Sequence, residues 1–153
     1  MKVRDLMIRD VVAVRTDTSI NEVAKLMHRH AISGLPVLDA AGALVGLVSE
    51  SDLIQRKGRF EVPAFVQIFD AAIPLEMPHH LRDRLRHLLA TRAEDVMSRD
   101  VHSVGPDTDI EDLVELMVHQ HANPVPVVED GRLVGIVSRS DLVHLMAAEL
   151  GES

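Results

Sequence analysis

A seven-residue stretch occurs twice in this chain, as Gly46-Leu47-Val48-Ser49-Glu50-Ser51-Asp52 and as Gly135-Ile136-Val137-Ser138-Arg139-Ser140-Asp141. The copies are the ends of a longer duplication. Asp5-Leu6-Met7 matches Asp95-Val96-Met97, Asp17-Thr18 matches Asp107-Thr108, and Leu35-Pro36-Val37 matches Val125-Pro126-Val127, all at a shift of 90 positions. The shift then falls to 89, because Asp39-Ala40-Ala41-Gly42 carries one residue more than its counterpart. Loss of one residue inside a turn is what a shared fold tolerates. The chain is therefore constrained to build one supersecondary unit twice, with an internal two-fold.

Each copy reads strand, helix, strand, strand, helix. The β-branched runs Val11–Val14 and Val101–Val104 predict short strands. Ser19-Ile20-Asn21-Glu22 and Thr108-Asp109-Ile110-Glu111 have capping-box form. Ile20, Val23, Ala24 and Met27 then fall at i, i+3, i+4 and i+7, and Ile110, Leu113, Val114 and Met117 repeat that spacing. Each set is one apolar stripe on a helix of about three turns. Second strands are expected at Pro36–Leu38 and Pro126–Val128, and third strands at Leu44–Ser49 and Leu133–Ser138. A turn joins each pair into a hairpin. The closing helices are expected at Asp52–Arg56 and Asp141–Leu150. Residues 55–92 break the repeat, and two helices are expected there, over Glu61–Ile73 and His80–Thr91.

The Ser-x-x-Asp ending of each stretch has two physical readings. A strand that stops at the serine and a helix that starts there leave free backbone N–H groups, which attract anions. The aspartate in the first turn can accept a pair of hydroxyls, such as those of a ribose. The structural alternative is a helix cap close to the Ser-x-x-Glu box. Recurrence at equivalent positions favours a site at both.

Composition removes other function classes. The net charge of −8 argues against a broad nucleic-acid surface, and with no Trp or Tyr and three Phe there is no aromatic platform for bases. No cysteine is present, so thiolate metal sites and nucleophiles are excluded. At 153 residues and 46% hydrophobic content the chain can fold without such staples. No apolar run is long enough to span a membrane, and no signal peptide is apparent, so a cytoplasmic location is expected. His28-x-His30, His119-x-His121 and His79-His80 do not share helical metal-ligand spacing, and no metal site is expected. Neither a phosphate-binding Gly-x-x-x-x-Gly-Lys loop nor a Gly-x-Ser-x-Gly elbow occurs, so no enzyme activity is expected.

The paired motifs together resemble tandem cystathionine-β-synthase (CBS) domains. Both copies carry the Asp-Val-Met-like entry, the capped helix, the Leu-Pro-Val strand, the glycine-containing hairpin and Ser-x-x-Asp. The resemblance implies an α/β (α+β) fold of two β-α-β-β-α repeats related by pseudo-two-fold symmetry, a Bateman module. Residues 1–57 would be the first repeat, 58–92 a helical insertion and 93–153 the second repeat.

The family resemblance implies a stand-alone regulatory module that binds an adenosyl ligand between the repeats: AMP, ADP, ATP or S-adenosylmethionine. No other cofactor is required. It also implies a homodimer that signals to an unidentified effector protein. Carried over by position, Asp52 and Asp141 would hold ribose hydroxyls, with Ser49 and Ser138 at the helix starts. His30, Ile32 and Pro36 in one copy, and His121, Ala122 and Pro126 in the other, would flank the base or reach phosphate. Ser98 would contact a ligand held by the other repeat, where its counterpart is Ile8. Arg139 would favour phosphate beside Asp141, and Glu50 would oppose it beside Asp52. The alternative is a ligand-free interaction or dimerisation scaffold that uses the 58–92 helices.

Overall fold

The computed structural model describes residues 1–58 and 91–151. The first unit runs α1 (Val3–Leu6), β1 (Val14–Arg15), α2 (Ile20–His30), β2 (Gly34–Leu38), β3 (Leu44–Ser49) and α3 (Glu50–Gly58). The second runs α4 (Ala93–Val96), α5 (Ile110–His119), β4 (Val125–Glu129), β5 (Arg132–Val137) and α6 (Arg139–Gly151). In the first unit β1 pairs parallel with β2, which pairs antiparallel with β3. In the second, β4 and β5 form the hairpin, and the equivalent of β1 is a single parallel bridge, Val104 to Val127. The fold is α+β, two copies of one unit. The helices expected over 61–73 and 80–91 lie almost wholly outside the described residues.

Both hairpins shift register after equivalent valines, at Val37/Leu38 and Val127/Val128. Their turns are built differently. Asp39 Oδ1 accepts the backbone N–H groups of Ala41 and Ala43, both at 2.9 Å, so its carboxylate closes the longer turn. The shorter one places Asp130 at φ 51° and Gly131 at φ 77°, the positive pair that a tight two-residue hairpin requires.

The apolar stripes fill two cores. Val23 and Met27 of α2 pack with Val14, Leu35, Val37 and Val48. Leu113 and Met117 of α5 pack with Val125, Val127 and Val137. Val114, expected on the second stripe, is 39% exposed at its edge.

Each core is completed by the other repeat's leading segment. Ala93 and Met97, which enter the second repeat, belong to the first core. Val3 and Met7, from the start of the chain, belong to the second. Two backbone ladders fix this exchange. Ile8 and Ile136 trade hydrogen bonds of 2.9 and 3.0 Å, and Ser98 and Leu47 do the same at 2.9 and 3.0 Å. A Cβ on Gly46 would lie 2.8 Å from Met97 Cγ, and one on Gly135 would lie 2.9 Å from Met7 Cγ. Hydrogen at these two positions lets each methionine reach the sheet.

Several local expectations are corrected. β1 starts at Val14, three residues later than the β-branched run, because only Val14 and Arg15 find partners on β2. The Ser19 cap forms, with Ser19 Oγ accepting from Glu22 N–H at 3.2 Å. The second capping box does not. Asp109 is the N-cap residue without a side-chain cap bond, and its carboxylate instead takes Lys2 Nζ at 2.6 Å. Thr108 Oγ1 accepts from Gly105 N–H. α3 and α6 begin two residues before their aspartates.

Candidate functional site

The strand-to-helix junctions are the same in both copies. Asp52 Oδ2 accepts Ser49 N–H at 2.8 Å and Ser49 Oγ at 3.0 Å. Asp141 Oδ2 accepts Ser138 N–H at 2.7 Å and Ser138 Oγ at 3.0 Å. This is the cap the sequence allowed. It does not exhaust the group, because an ionised carboxylate has about four acceptor positions and the serine uses two, both on Oδ2. Among the described residues no hydrogen bond to Oδ1 of either aspartate is present. The cap therefore orients each carboxylate and leaves one oxygen for another donor.

Two clefts open beside these junctions, and each draws on both repeats. The first, of about 370 Å³, holds Ser138 and Asp141. Ile8, carried in by the exchanged leading segment, forms one wall, and His30, Ala31, Ile32 and Ser33 of the first repeat form the opposite one. The second, of about 290 Å³, holds Ser49 and Asp52 with Ser98 from the other exchanged segment. Gln120, His121, Ala122 and Asn123 of the second repeat face them. Both volumes sit at the lower end of small-molecule sites, which run from about 300 to 1,000 Å³.

The structure thus brings Asp52, Ser49, Ser98, His121 and Ala122 to one cleft, and Asp141, Ser138, His30 and Ile32 to the other. Pro36 and Pro126 line neither, being fully buried in the hairpins. A different proline is shared: Pro124 lines both clefts. It packs on its repeat counterpart, where a Cβ on Gly34 would lie 2.6 Å from Pro124 Cδ. This contact is at the pseudo-two-fold, and it separates the two cavities.

The charges fall differently from the sequence expectation. Glu50 lines the Asp141 cleft, not the Asp52 cleft. Its backbone N–H donates to Ser33 O at 2.9 Å, which ties the start of α3 to the wall opposite Asp141. Arg139, expected beside Asp141, is absent from that lining. Its backbone N–H donates to Asn123 Oδ1 at 2.9 Å, on the wall of the Asp52 cleft. Glu50 therefore lies in the cleft opposite its own motif serine, while Arg139 lines neither of the two.

Sequence reasoning missed Asp10 in the Asp141 cleft, and Asp100 and His102 in the Asp52 cleft. Asp10 and Asp100 are equivalent at the 90-residue shift, each two positions beyond the entry residue Ile8 or Ser98. That recurrence was a signal in the sequence. The loops opposite the aspartates also share a backbone feature. Ala31 and His121 are repeat counterparts, and both are left-handed, at φ 52° and 53°. No group of three or more metal-ligating side chains occurs among the described residues.

Comparison with known proteins agrees with the duplicated fold. The model of the CBS domain family matches residues 3–58 and again 93–148. An uncharacterized protein of Methanocaldococcus jannaschii, MJ1426, is 34% identical over 95% of this chain and 91% of its own length. The crystal structure of the CBS domain pair of protein MJ0100, in complex with 5′-methylthioadenosine and S-adenosyl-L-methionine, superposes with a TM-score of 0.72. It is 25% identical, over 97% of this chain and 98% of that one. CBSX2 in complex with AMP gives a TM-score of 0.71 at 25% identity, covering 96% of each chain.

Proposed function

This chain belongs to the CBS domain family as a tandem, Bateman-type pair, and from that premise we propose that it is a regulatory module for an adenosyl ligand. The observation that carries the reading is the Oδ1 of Asp52 and of Asp141, which takes no hydrogen bond among the described residues, each at a cleft built from both repeats. A ribose offers two adjacent hydroxyls, and a carboxylate already oriented by its own serine accepts them at little ordering cost. Ile32 and Ala122 supply apolar contact for a base across the cleft, beside Ser33 and Asn123. The relatives crystallised with AMP, or with methylthioadenosine and S-adenosylmethionine, support this ligand class.

Each cleft has walls from both repeats, so a bound ligand bridges them. It shifts their relative arrangement in proportion to its differential affinity for the alternatives. A partner protein reads that shift. A homodimer is part of the proposal. Ile54 on α3 and Val143 on α6 are repeat counterparts, exposed to 66% and 60%, with Met146 exposed to 60% beside Val143. Paired apolar residues on two equivalent helices suit a symmetric interface.

With no Trp or Tyr the chain barely absorbs near 280 nm. Co-purified nucleotide therefore shows directly as a 260 nm peak once nucleic acid is excluded. Calorimetry with AMP, ADP, ATP and S-adenosylmethionine then tests the class. Absence of binding for all four overturns the reading.

A further inference from the structure

The paired clefts are equivalent in backbone and unequal in charge. Asp10, Glu50 and Asp141 line one, with His30 as its one basic side chain and no lysine or arginine among the described residues. Asp52 and Asp100 line the other, together with His102 and His121. At the position equivalent to Glu50 stands Arg139, whose backbone is anchored on Asn123 of that second cleft. One pair of counterparts therefore differs in sign, with Glu50 in the lining of the first cleft and Arg139 outside the lining of the second.

Resting on the adenosyl reading, we propose that the clefts select opposite charge classes of that ligand. The Asp141 cleft takes an adenosyl compound without phosphate, and Glu50 is the specificity-determining residue that turns phosphate away. The Asp52 cleft takes the phosphorylated form. The physical basis is Coulombic. A unit charge about 6 Å from a phosphate, in a partly screened site, changes affinity by about tenfold. A neutral or cationic 5′ substituent feels no such penalty. Both helix starts offer N–H groups to an anion, so the backbone alone does not discriminate. The side chains do.

Ser49 and Ser138 N–H groups, each held by its cleft's aspartate, report occupancy separately in amide NMR spectra of the full chain. Adenosine and AMP are titrated into the native protein and into Glu50→Gln. AMP is expected to shift the Ser49 resonance at about tenfold lower concentration than the Ser138 resonance. Adenosine should shift Ser138 at about tenfold lower concentration than AMP does. Glu50→Gln should bring AMP to the Ser138 cleft about tenfold more tightly and change adenosine there less than twofold. Glu50 is exposed, so the substitution spares the core, and unchanged spectra away from the cleft verify this. The proposal is overturned if AMP engages Ser138 as tightly as adenosine does, or if Glu50→Gln leaves their ratio unchanged. Failure of the adenosyl reading itself looks different: neither compound moves either resonance.

Discussion

Met7 lies against the bare face of Gly135, with its Cγ 2.9 Å from where a Cβ would stand. The start of the chain is thereby locked into the core of the far repeat. Gly135→Ala forces Met7 away and should destabilise by about 1–3 kcal/mol. Met7→Ala should cost about 2–5 kcal/mol by leaving a cavity. The double substitution should lose less than the sum, because alanine at 135 fills space that Met7 vacates. Urea unfolding of the four proteins checks this, and strict additivity would contradict the contact. Gly46 and Met97 should behave alike.

The motif aspartates each have a structural and a proposed ligand role, and substitution separates them. Asp52→Ala removes the acceptor of Ser49 N–H and should cost about 1 kcal/mol of stability as a lost cap. Loss of hydrogen bonds to a charged acceptor, about 1.5–3 kcal/mol, should weaken adenosyl binding at that cleft by tenfold or more. Asp141→Ala should do the same at the other cleft. Calorimetry and thermal melts on the same preparations compare the two effects. A stability loss with unchanged affinity assigns the carboxylates to capping alone.

Ala31 holds a left-handed backbone in the wall of the Asp141 cleft, at φ 52°. An L-residue there loses roughly 1–2 kcal/mol relative to right-handed backbone, whereas glycine does not. Glycine also gives the unfolded chain more freedom, which offsets part of the gain. Ala31→Gly should therefore raise stability by about 0.5–1 kcal/mol, read as a higher urea midpoint with an unchanged slope. A lower midpoint would show that the methyl group's packing outweighs the strain.

Lys2 and Asp109 join the chain start to the second repeat. Hydrogen bonding and charge from Asp109 raise the Lys2 pKa above its ordinary 10.5, and Lys2 lowers that of Asp109 below 3.8. The lysine contribution is full below pH 10.5 and is lost as pH rises through the raised value. The aspartate contribution is full above pH 3.8 and is lost as pH falls through the lowered value. Asp109→Asn should lower the melting temperature slightly across the neutral range and converge with the native protein at both extremes. Added salt should shrink the difference, since both groups are exposed.

Much of this architecture was legible because duplication doubles every weak signal. The stripes on α2 and α5 and both hairpins follow from spacing that occurs twice. Val11 and Val12 misled because β-branched residues favour extended backbone, while a strand also needs a partner, and β2 offers partners only to Val14 and Arg15. Thr108 misled for a related reason, since its hydroxyl accepts from Gly105 N–H and the helix starts one residue later, after Asp109. The motif serines and aspartates were legible as the strand-to-helix junctions they form. The placement of Glu50 in the opposite cleft was not, because it goes with a backbone hydrogen bond to Ser33, well back in the chain. Pro36 and Pro126 look like cleft residues by position, yet both side chains are fully buried.

The traded leading segments have a bearing on ancestry. Half of this chain, taken alone, would hold the residues of its sheet and long helix but have Met7 where Met97 should be. Such a half could seal its interior only by lending its first residues to an identical twin and borrowing the twin's in return. The common precursor of the two copies would then have been an obligate pair, and fusion into one gene would have made permanent a partnership that two separate molecules first had to find.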